Sequence, residues 1–219
     1  MPQCCPVCGD TTGGDVLCPR CLLELPRLPL SGTGATASLP ALANAVCPPG
    51  FVGTWIQYNP SGRFAEMIRT AKYRSRPALA RRLGRLFAEE LMENGGPQPM
   101  PDVLVPVPMH WRKELKRGYN QAALIAEGMA GVLGAAVADN LRAVAPHATQ
   151  TSRSAEQRRR NIEGVFNVVH PHDLDDLHIA IVDDVITTGA TVGEAALAIG
   201  RAGGRPASIG VLALAMALR

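Results

Sequence analysis

Two adjacent carboxylates and the hydroxyl-rich turn behind them are the residues of this chain best suited to chemistry. Asp183 and Asp184 close an apolar run, and after two more apolar residues comes the turn 187–191, Thr-Thr-Gly-Ala-Thr. Carboxylates can accept hydrogen bonds from sugar hydroxyls and help to place a magnesium ion. Because a helical pattern follows the turn, unpaired N–H groups and the positive end of the helix dipole favour a phosphate there. The segment therefore predicts a site for a phosphorylated sugar.

A strand and a helix must position these groups. The apolar run 179–182, bounded by turn residues, predicts a buried parallel strand. Such a strand delivers both acids to the carboxyl edge of a sheet, where open α/β folds bind their ligands. Adjacent strand residues point to different sides, which predicts distinct roles for Asp183 and Asp184. The alternative interpretation is an ordinary surface turn, because threonine and glycine are common in turns.

Segment 179–191 resembles the phosphoribosyl-pyrophosphate (PRPP) loop of type I phosphoribosyltransferases in its apolar strand, paired acids and Thr-Thr-Gly-x-Thr turn. The resemblance implies an α/β fold of that type, with a mostly parallel sheet flanked by helices. It also implies that Asp183 and Asp184 are the catalytic acids and hold the ribose hydroxyls, with magnesium bound together with PRPP. The residues implied to bind the 5-phosphate are Thr187, Thr188, Gly189, Ala190 and Thr191.

A second, basic segment follows the predicted strand 102–108. Residues 109–121 predict a basic loop before a further helical pattern, which is again a position at the carboxyl edge. Four cations within six residues, beside a glycine, can hold a pyrophosphate through charge-assisted hydrogen bonds and a close backbone approach. A solvated charge run is the alternative. The cations are Arg112, Lys113, Lys116 and Arg117, and of this segment we predict that Arg112, Lys113, Arg117 and Gly118 bind PRPP.

The polar segment 149–161 carries four arginines and has no apolar periodicity. It looks like the mobile loop that covers PRPP in such folds, excludes water and adds cationic contacts. Arg158 is its predicted PRPP contact. Two alternatives stay open: a surface arginine cluster, or contact between the arginines at 158–160 and the phosphates of single-stranded DNA.

Two C-x-x-C knuckles, separated by nine residues, lie near the amino terminus. Four thiolates from such knuckles can hold one tetrahedral zinc ion, which supports structure because no coordination position stays open for chemistry. Disulfides and a redox pair are the alternatives, and both are disfavoured in a cytosolic chain without a surrounding βαβ pattern. Cys4 and Cys47 are left over, and either can replace a ligand. The predicted ligands are Cys5, Cys8, Cys18 and Cys21.

The predicted domain boundary lies in residues 29–50, which are rich in Ser, Gly, Ala and Pro. Residues 1–50 are predicted to form a zinc-binding module and linker, which can also supply a hood over an acceptor pocket. Residues 51–219 are predicted to form the phosphoribosyltransferase-like domain. In its first long helix we expect Arg81, Arg82 and Arg85 to line a solvated face.

Several motifs, spread over nearly the whole chain, point to one family. They are the two knuckles, Val-Pro-Val-Pro at 105–108, Arg-Gly-Tyr-Asn-Gln at 117–121, and Gln157, Arg158, Arg159 and Asn161 ahead of Gly-Val-Phe at 164–166. With these motifs the chain resembles the ComF family of competence-related proteins. The resemblance implies the type I phosphoribosyltransferase fold and a role linked to DNA uptake. It does not imply an established reaction, since the acceptor is poorly defined across the family.

Composition and charge set outer limits on function. The chain has 219 residues, is 47% hydrophobic and carries a net charge of +3, so it can bury a core. No apolar run approaches the ~20 residues of a membrane span and no signal segment opens the chain, which predicts a cytoplasmic protein without membrane insertion. Residues 61–161 hold 17 Lys and Arg against 9 Asp and Glu, whereas 162–219 hold 3 against 7. The basic middle therefore suits an anionic substrate or nucleic acid.

Three functional hypotheses stand at this point. The first is a PRPP-binding phosphoribosyltransferase with an unknown acceptor. The second is a regulator that binds PRPP without turnover. The third is a competence module that binds single-stranded DNA or a helicase partner. The intact pair of acids in segment 179–191 favours the first two, and the basic middle of the chain leaves the third open.

Overall fold

The computed structural model describes residues 4–13, 15–29, 49–73, 76–144 and 164–217. For Pro49, Lys72, Tyr73, Lys113 and Lys116 it describes the backbone only. The predicted PRPP-covering segment 149–161, with Arg158, lies outside the described residues, as does Cys47.

Strands and helices alternate along most of the described chain. The strands are β1 (Pro49–Gln57), β2 (Val103–Pro106), β3 (Ala136–Val137), β4 (Leu141–Ala143), β5 (Phe166–Val168), β6 (His178–Ile186) and β7 (Ser208–Met216). The helices are α1 (Pro19–Leu23), α2 (Ala65–Tyr73), α3 (Pro77–Glu93), α4 (Trp111–Arg117), α5 (Gln121–Leu133) and α6 (Ala190–Arg201).

One parallel sheet organises the molecule. Its five strands lie in the order β1-β7-β6-β2-β3, and β4 and β5 form a separate antiparallel pair. Along β6, Ala180 and Val182 pack in the core cluster that includes α3 and α5, while Ile179 and Ile181 pack in the cluster that includes α6. Helices therefore cover both faces, as the near-continuous apolar strands of a parallel sheet require. The predicted α/β class, a parallel sheet flanked by helices, is confirmed.

Strand β6 is longer than the sequence pattern predicts. The apolar run ends at Val182, yet β6 continues through both acids to Ile186. Its neighbour β7 extends equally far and supplies the partner, with Asp183 opposite Ala213 and Val185 opposite Ala215. The acids are therefore held in a strand and are not part of a loose turn.

The prediction of an irregular basic loop after β2 was wrong. Residues 111–117 form α4, a short helix. His110 begins it, because its Nδ1 accepts the Arg112 backbone N–H at 3.3 Å, and Gly118 ends it in a left-handed conformation (φ 85°). The basic residues of this segment thus lie on a helix whose two ends are capped. Among the described residues, no helix combines the length and apolar character needed to span a membrane.

The layer on the α3 and α5 side of the sheet depends on two glycines. A Cβ on Gly84 would lie 2.3 Å from the carbonyl oxygen of Ile125, and a Cβ on Gly128 would lie 2.0 Å from that of Arg81. The obstructing atoms belong to the backbone, so a side chain cannot be accommodated by a rotamer change. The two helices therefore pack with their backbones in close approach.

Gly128→Ala is accordingly expected to lower the free energy of unfolding by about 1–3 kcal/mol or more, because it forces α3 and α5 apart. Gly131→Ala is the matched control on the same helix, since a Cβ there meets nothing within 4 Å, and it should be neutral or stabilising by up to about 1 kcal/mol. Urea unfolding of both variants measures the difference. Equal effects of the two substitutions would contradict the close crossing.

Candidate functional site

The carboxyl ends of β2 and β6 meet at one edge of the sheet. The two strands are neighbours and parallel, and their ladder ends where Pro106 lies opposite Val182. One residue on, the Val107 N–H donates to the Val182 carbonyl at 2.9 Å. Asp183 and Asp184 follow directly, half-buried and beyond the last residue of β2. The paired acids thus border the segment that leaves β2.

The turn behind the acids leads straight into a helix. Gly189 has φ 74° and is the N-cap of α6, a helix of 12 residues. The Thr188 hydroxyl oxygen accepts the Ala190 N–H at 3.4 Å, and the Asp183 carboxylate accepts the Asp184 N–H at 2.8 Å. Thr187 is exposed at the tip of the turn. The structure therefore places residues 183–191 in the predicted order, strand, turn and helix start, at the carboxyl edge.

The segment between β2 and α5 rises from the same edge and is fixed at both ends. It leaves the sheet at Val107, and the Asn120 side-chain amide returns to donate to the Val107 carbonyl at 3.1 Å. The Tyr119 hydroxyl donates to the Ala71 carbonyl at 2.7 Å, which ties this segment to the end of α2. These two hydrogen bonds fix the segment that carries α4 to the carboxyl edge and to α2.

The predicted pyrophosphate residues occupy this closed segment. Arg112 is exposed near the start of α4, Arg117 is half-buried at its end, and Gly118 is the exposed cap. Lys113 lies between them on the helix, with its backbone alone described. The structure therefore brings the α4 residues and residues 183–191 to one edge, on segments that leave adjacent strands.

Sequence reasoning missed two residues that fix segments next to the predicted site. Glu194 of α6 is 5% exposed, and its carboxylate accepts the Gly164 N–H at 2.7 Å and pairs with Arg201. A lone acid inside an apolar helix pattern was the available signal for this role. Asn120 could have been recognised as an N-cap, because it stands directly before the apolar pattern of α5; its oxygen accepts the Ala122 N–H at 3.1 Å.

The amino-terminal cysteines form a compact cluster. The four Sγ atoms of Cys5, Cys8, Cys18 and Cys21 lie within 4.8 Å of one another, and those of Cys8 and Cys18 are 3.6 Å apart. Four sulfurs around a tetrahedral zinc at the usual Zn–S distance are about 3.8 Å apart. None of the described cysteines forms a disulfide. The four cysteines can therefore hold a metal such as zinc, and they are the four predicted ligands, without Cys4.

A helix cap and a glycine turn position the cysteines of this cluster. Cys18 is the N-cap of α1, and its sulfur accepts the Cys21 N–H at 3.5 Å. Gly9, with φ 83°, turns the chain after the first knuckle. Burial acts to raise the pKa of Cys5, yet backbone hydrogen bonds from Cys18, Val7 and Cys8 outweigh it and lower that pKa to about 7. Burial, together with the neighbouring thiols, raises the pKa of Cys21. Full deprotonation of the four thiols therefore calls for a neutralising cation.

Ion pairs join the amino-terminal segment that carries the four cysteines to helix α3. This segment, residues 4–13 and 15–29, is called the cysteine module below. Asp15 receives two hydrogen bonds from Arg82, each 3.0 Å long. Of the predicted solvated face, Arg81 and Arg85 are exposed, whereas Arg82 is half-buried and paired. Arg27 donates to Glu90 at 2.6 and 2.9 Å, and the buried Trp55 donates to the same carboxylate at 2.7 Å. Burial acts to raise the pKa of Glu90, but these two donors lower it. Asp15 and Arg27 thus anchor the module to α3.

Edge strand β1 also takes part in this contact. The Leu28 N–H donates to the Trp55 carbonyl at 2.9 Å, and the Gln57 N–H donates to the Pro26 carbonyl at 2.8 Å. Leu17 and Leu25 are buried in the same core cluster as α3 and β1. The predicted boundary near residue 50 stays a prediction, and the module shares packing with the rest of the chain.

Comparison with known proteins shows which family the chain belongs to. No family model matches the chain. The chain is 32% identical over 201 residues to "DNA utilization protein YhgH" of Salmonella typhi and 33% identical over 203 residues to the protein of that name from Escherichia coli K12. Both matches cover 88% of this chain and 82% of the relative. The chain belongs to the ComF family.

A shorter match agrees with this family. The chain is 35% identical over 97 residues to "Competence protein F" of Haemophilus influenzae, covering 43% of this chain and 42% of that protein. The longer matches cover 88% of the chain. The uncovered part is too short to reach α4 or segment 183–191 from either end, so both lie within these matches. The ComF relationship therefore includes the parts of the chain that form the carboxyl-edge site.

Proposed function

We propose that this ComF protein binds PRPP with magnesium at the carboxyl edge of its sheet and works as a phosphoribosyltransferase whose acceptor is unknown. The observation that carries the proposal is the continuous arrangement of two acids in the last four residues of β6, a left-handed Gly189 and the start of a 12-residue helix. A basic helix rises beside it from the adjacent strand. Backbone N–H groups at such a helix start favour a phosphate, and guanidinium groups favour a pyrophosphate.

Each group then has a separate task. Residues 187–191 anchor the 5-phosphate, and Asp183 and Asp184 hold the ribose hydroxyls. Arg112, Lys113, Arg117 and Gly118 hold the pyrophosphate, with Arg158 as a further cation. Magnesium, when bound, neutralises part of the pyrophosphate charge. Pyrophosphate leaves the anomeric carbon while a nucleophile enters from the opposite face, and the charge that develops is stabilised by groups fixed in advance.

The relatives' names concern the use of DNA and competence. They are called a DNA utilization protein and a competence protein, and we propose a role of this chain in the same processes. Two other functions remain as candidates. One is a regulator that binds PRPP at the same site without turnover. The other is a module that binds single-stranded DNA or a helicase partner through its cations. Release of pyrophosphate from PRPP, tested with a panel of bases and nucleotides, separates the enzyme from the regulator.

The decisive experiment titrates the parent protein and Arg117→Ala with PRPP and with ribose 5-phosphate, both with magnesium. The parent should bind PRPP, and Arg117→Ala should weaken PRPP by about tenfold or more, because a charge-assisted hydrogen bond contributes about 1.5–3 kcal/mol. Ribose 5-phosphate lacks the group that α4 is proposed to hold, so its affinity should hardly change. Isothermal titration measures both constants.

Arg85→Ala is the control, since it removes the same charge from α3, where Arg85 pairs with Glu89. It should bind PRPP as the parent does. A parent protein that does not bind PRPP would overturn the proposed function. Equal weakening of PRPP and ribose 5-phosphate would overturn the assignment of α4 to pyrophosphate. If Arg117 serves DNA instead, its loss should reduce the slope of DNA affinity against salt by about one.

A further inference from the structure

One of the four clustered cysteines differs from the others in its access to solvent. Cys8 is exposed, whereas Cys5, Cys18 and Cys21 are buried. The reactivity of a cysteine sulfur follows its thiolate character and its exposure. When zinc is bound, all four ligands are thiolates, so exposure is the property that distinguishes them. Cys8 is therefore the ligand that a reagent dissolved in water reaches first.

A carboxylate lies beside this exposed sulfur. The Cys8 thiol donates to the Asp10 carboxylate, with Sγ and Oδ2 3.3 Å apart. The Asp10 backbone is fixed, because its carbonyl accepts the Cys5 N–H at 2.7 Å. Its own N–H favours the Cys8 thiolate, and the carboxylate opposes it. When Cys8 binds zinc, the thiol proton is gone and two negative charges face each other. The Asp10 carboxylate therefore weakens the bond between Cys8 and zinc.

A second sulfur is close enough to complete a disulfide. The Sγ atoms of Cys8 and Cys18 are 3.6 Å apart, so they have to approach by about 1.5 Å to reach the usual S–S bond length. Cys8 lies in a turn that continues into Gly9, and Cys18 is the N-cap of α1. Because neither cysteine lies inside a helix or a strand, a side-chain rotation and a small shift of the turn can bring the two sulfurs together.

We infer that Cys8 is a site of oxidation by hydroperoxides, and that its disulfide with Cys18 releases the zinc ion. The Cys8 thiolate attacks a peroxide oxygen, so that an S–O bond forms, the O–O bond breaks and hydroxide leaves. The Cys18 thiolate then attacks the Cys8 sulfur, so that an S–S bond forms, the S–O bond breaks and a second hydroxide leaves. With hydrogen peroxide, two thiolates lose two electrons and the peroxide is reduced to two hydroxide ions.

This oxidation changes the state of the whole cysteine module. Cys5 and Cys21 remain as thiols, and two thiolates do not complete a tetrahedral zinc site. The module then keeps its ion pair between Asp15 and Arg82 but loses the metal that holds its four cysteines. A thiol reductant and zinc reverse the reaction, because a disulfide is a reversible product. The zinc content of the protein thus responds to peroxide, independently of any PRPP binding.

The test uses the zinc-loaded full chain with Cys4→Ser and Cys47→Ser, called the four-cysteine protein. These substitutions leave the clustered cysteines as the only thiols of the chain. Excess hydrogen peroxide should release about one zinc ion per chain, which a chromogenic chelator measures. A thiol reductant with added zinc should restore the metal. A four-cysteine protein that keeps its zinc under excess peroxide would overturn the inference.

Mass spectrometry identifies the sulfurs that react. Cleavage at Asp15, between Cys8 and Cys18 in the sequence, should leave two peptides joined by a disulfide between these cysteines. Limited treatment of the zinc-loaded protein with iodoacetamide should alkylate Cys8 before the three buried ligands. Zinc release without a disulfide, a disulfide from Cys8 to Cys5 or Cys21, or earlier alkylation of a buried ligand would each overturn the inference.

Asp10→Asn tests the carboxylate in the same four-cysteine protein. Asparagine keeps the shape and the backbone contacts of Asp10 without its charge. The variant should bind zinc about fivefold more tightly in competition with a chelator, the effect in water of one unit charge at about 4 Å, and should release it more slowly under peroxide. Asp139→Asn removes the same charge next to β3, at the far end of the sheet from β1, and should change neither quantity. Equal zinc affinity and release in both variants would overturn the role of Asp10.

Discussion

Replacing Cys5 and Cys8 with serine is expected to remove about one zinc ion per chain and to unfold the cysteine module. Both sulfurs belong to the four-thiol cluster, and structural zinc in small modules contributes on the order of 10 kcal/mol of binding free energy, which is also folding free energy. Metal analysis of the purified protein and a thermal melt check the two parts of this expectation. A strong chelator should reproduce the effect in the parent protein.

Cys4→Ser is the matched control. Cys4 is exposed and adjacent to Cys5, yet it is not among the four clustered sulfurs. This variant should keep its zinc and its melting temperature. A metal-free parent that melts at the same temperature as the zinc-loaded protein would refute the structural role. Loss of zinc in Cys4→Ser would instead show that the ligand set differs from the cluster.

Unfolding of the cysteine module in the Cys5 and Cys8 serine variant should also destabilise the main sheet. Loss of the module removes the partner of Arg82, the strand-like hydrogen bonds to Trp55 and Gln57, and the apolar cover from Leu17 and Leu25. An uncovered edge strand also offers unpaired backbone groups to other chains. We therefore expect the serine variant to aggregate more readily than the control.

Local patterns predicted much of this molecule because their causes are local. The apolar run before Asp183 predicts a buried strand from its own side chains, and the Thr-Thr-Gly turn predicts the start of a helix in the same way. The spacing of the four cysteines likewise predicted the cluster that the structure contains. In each case the residues that determine the structure are close together in the sequence.

What the sequence could not predict depends on distant partners. Arg82 looks solvated on its own helix, yet its two 3.0 Å hydrogen bonds go to Asp15, 67 positions away. Glu90 likewise depends on Arg27, which is 63 positions away. The length of β6 is decided by β7, which follows after α6. Helix α4 has few apolar residues of its own, and His110 and Gly118 define its ends.

The paired acids carry the largest expected effect on ligand binding. PRPP with magnesium, at about one hundred times its dissociation constant, should stabilise the parent by about 2.7 kcal/mol, which for a chain of this size is a rise of about 5–10 °C in melting temperature. Asp183→Asn combined with Asp184→Asn should abolish this rise. The ribose hydroxyls lose their anionic acceptors, and the site loses two charges that favour the metal.

The free protein should tolerate the double substitution. Asparagine matches aspartate in shape, and its oxygen can still accept the Asp184 N–H that now bonds to Asp183. Asp102→Asn is the control, because Asp102 lies at the opposite, amino end of β2 and accepts the His178 N–H at 2.8 Å. That variant should keep the full PRPP-dependent rise. The two single variants should differ from one another, since adjacent strand residues point to different sides.

A thermal melt series with and without PRPP, magnesium and chelator decides the question. If the double asparagine variant shows the same rise as the parent, segment 183–191 is a structural turn and PRPP binds elsewhere. If the rise is lost in Asp102→Asn as well, the effect comes from general damage to the sheet. Selective loss at the carboxyl edge, with an unchanged melt of the free protein, is the result that assigns the acids to the ligand.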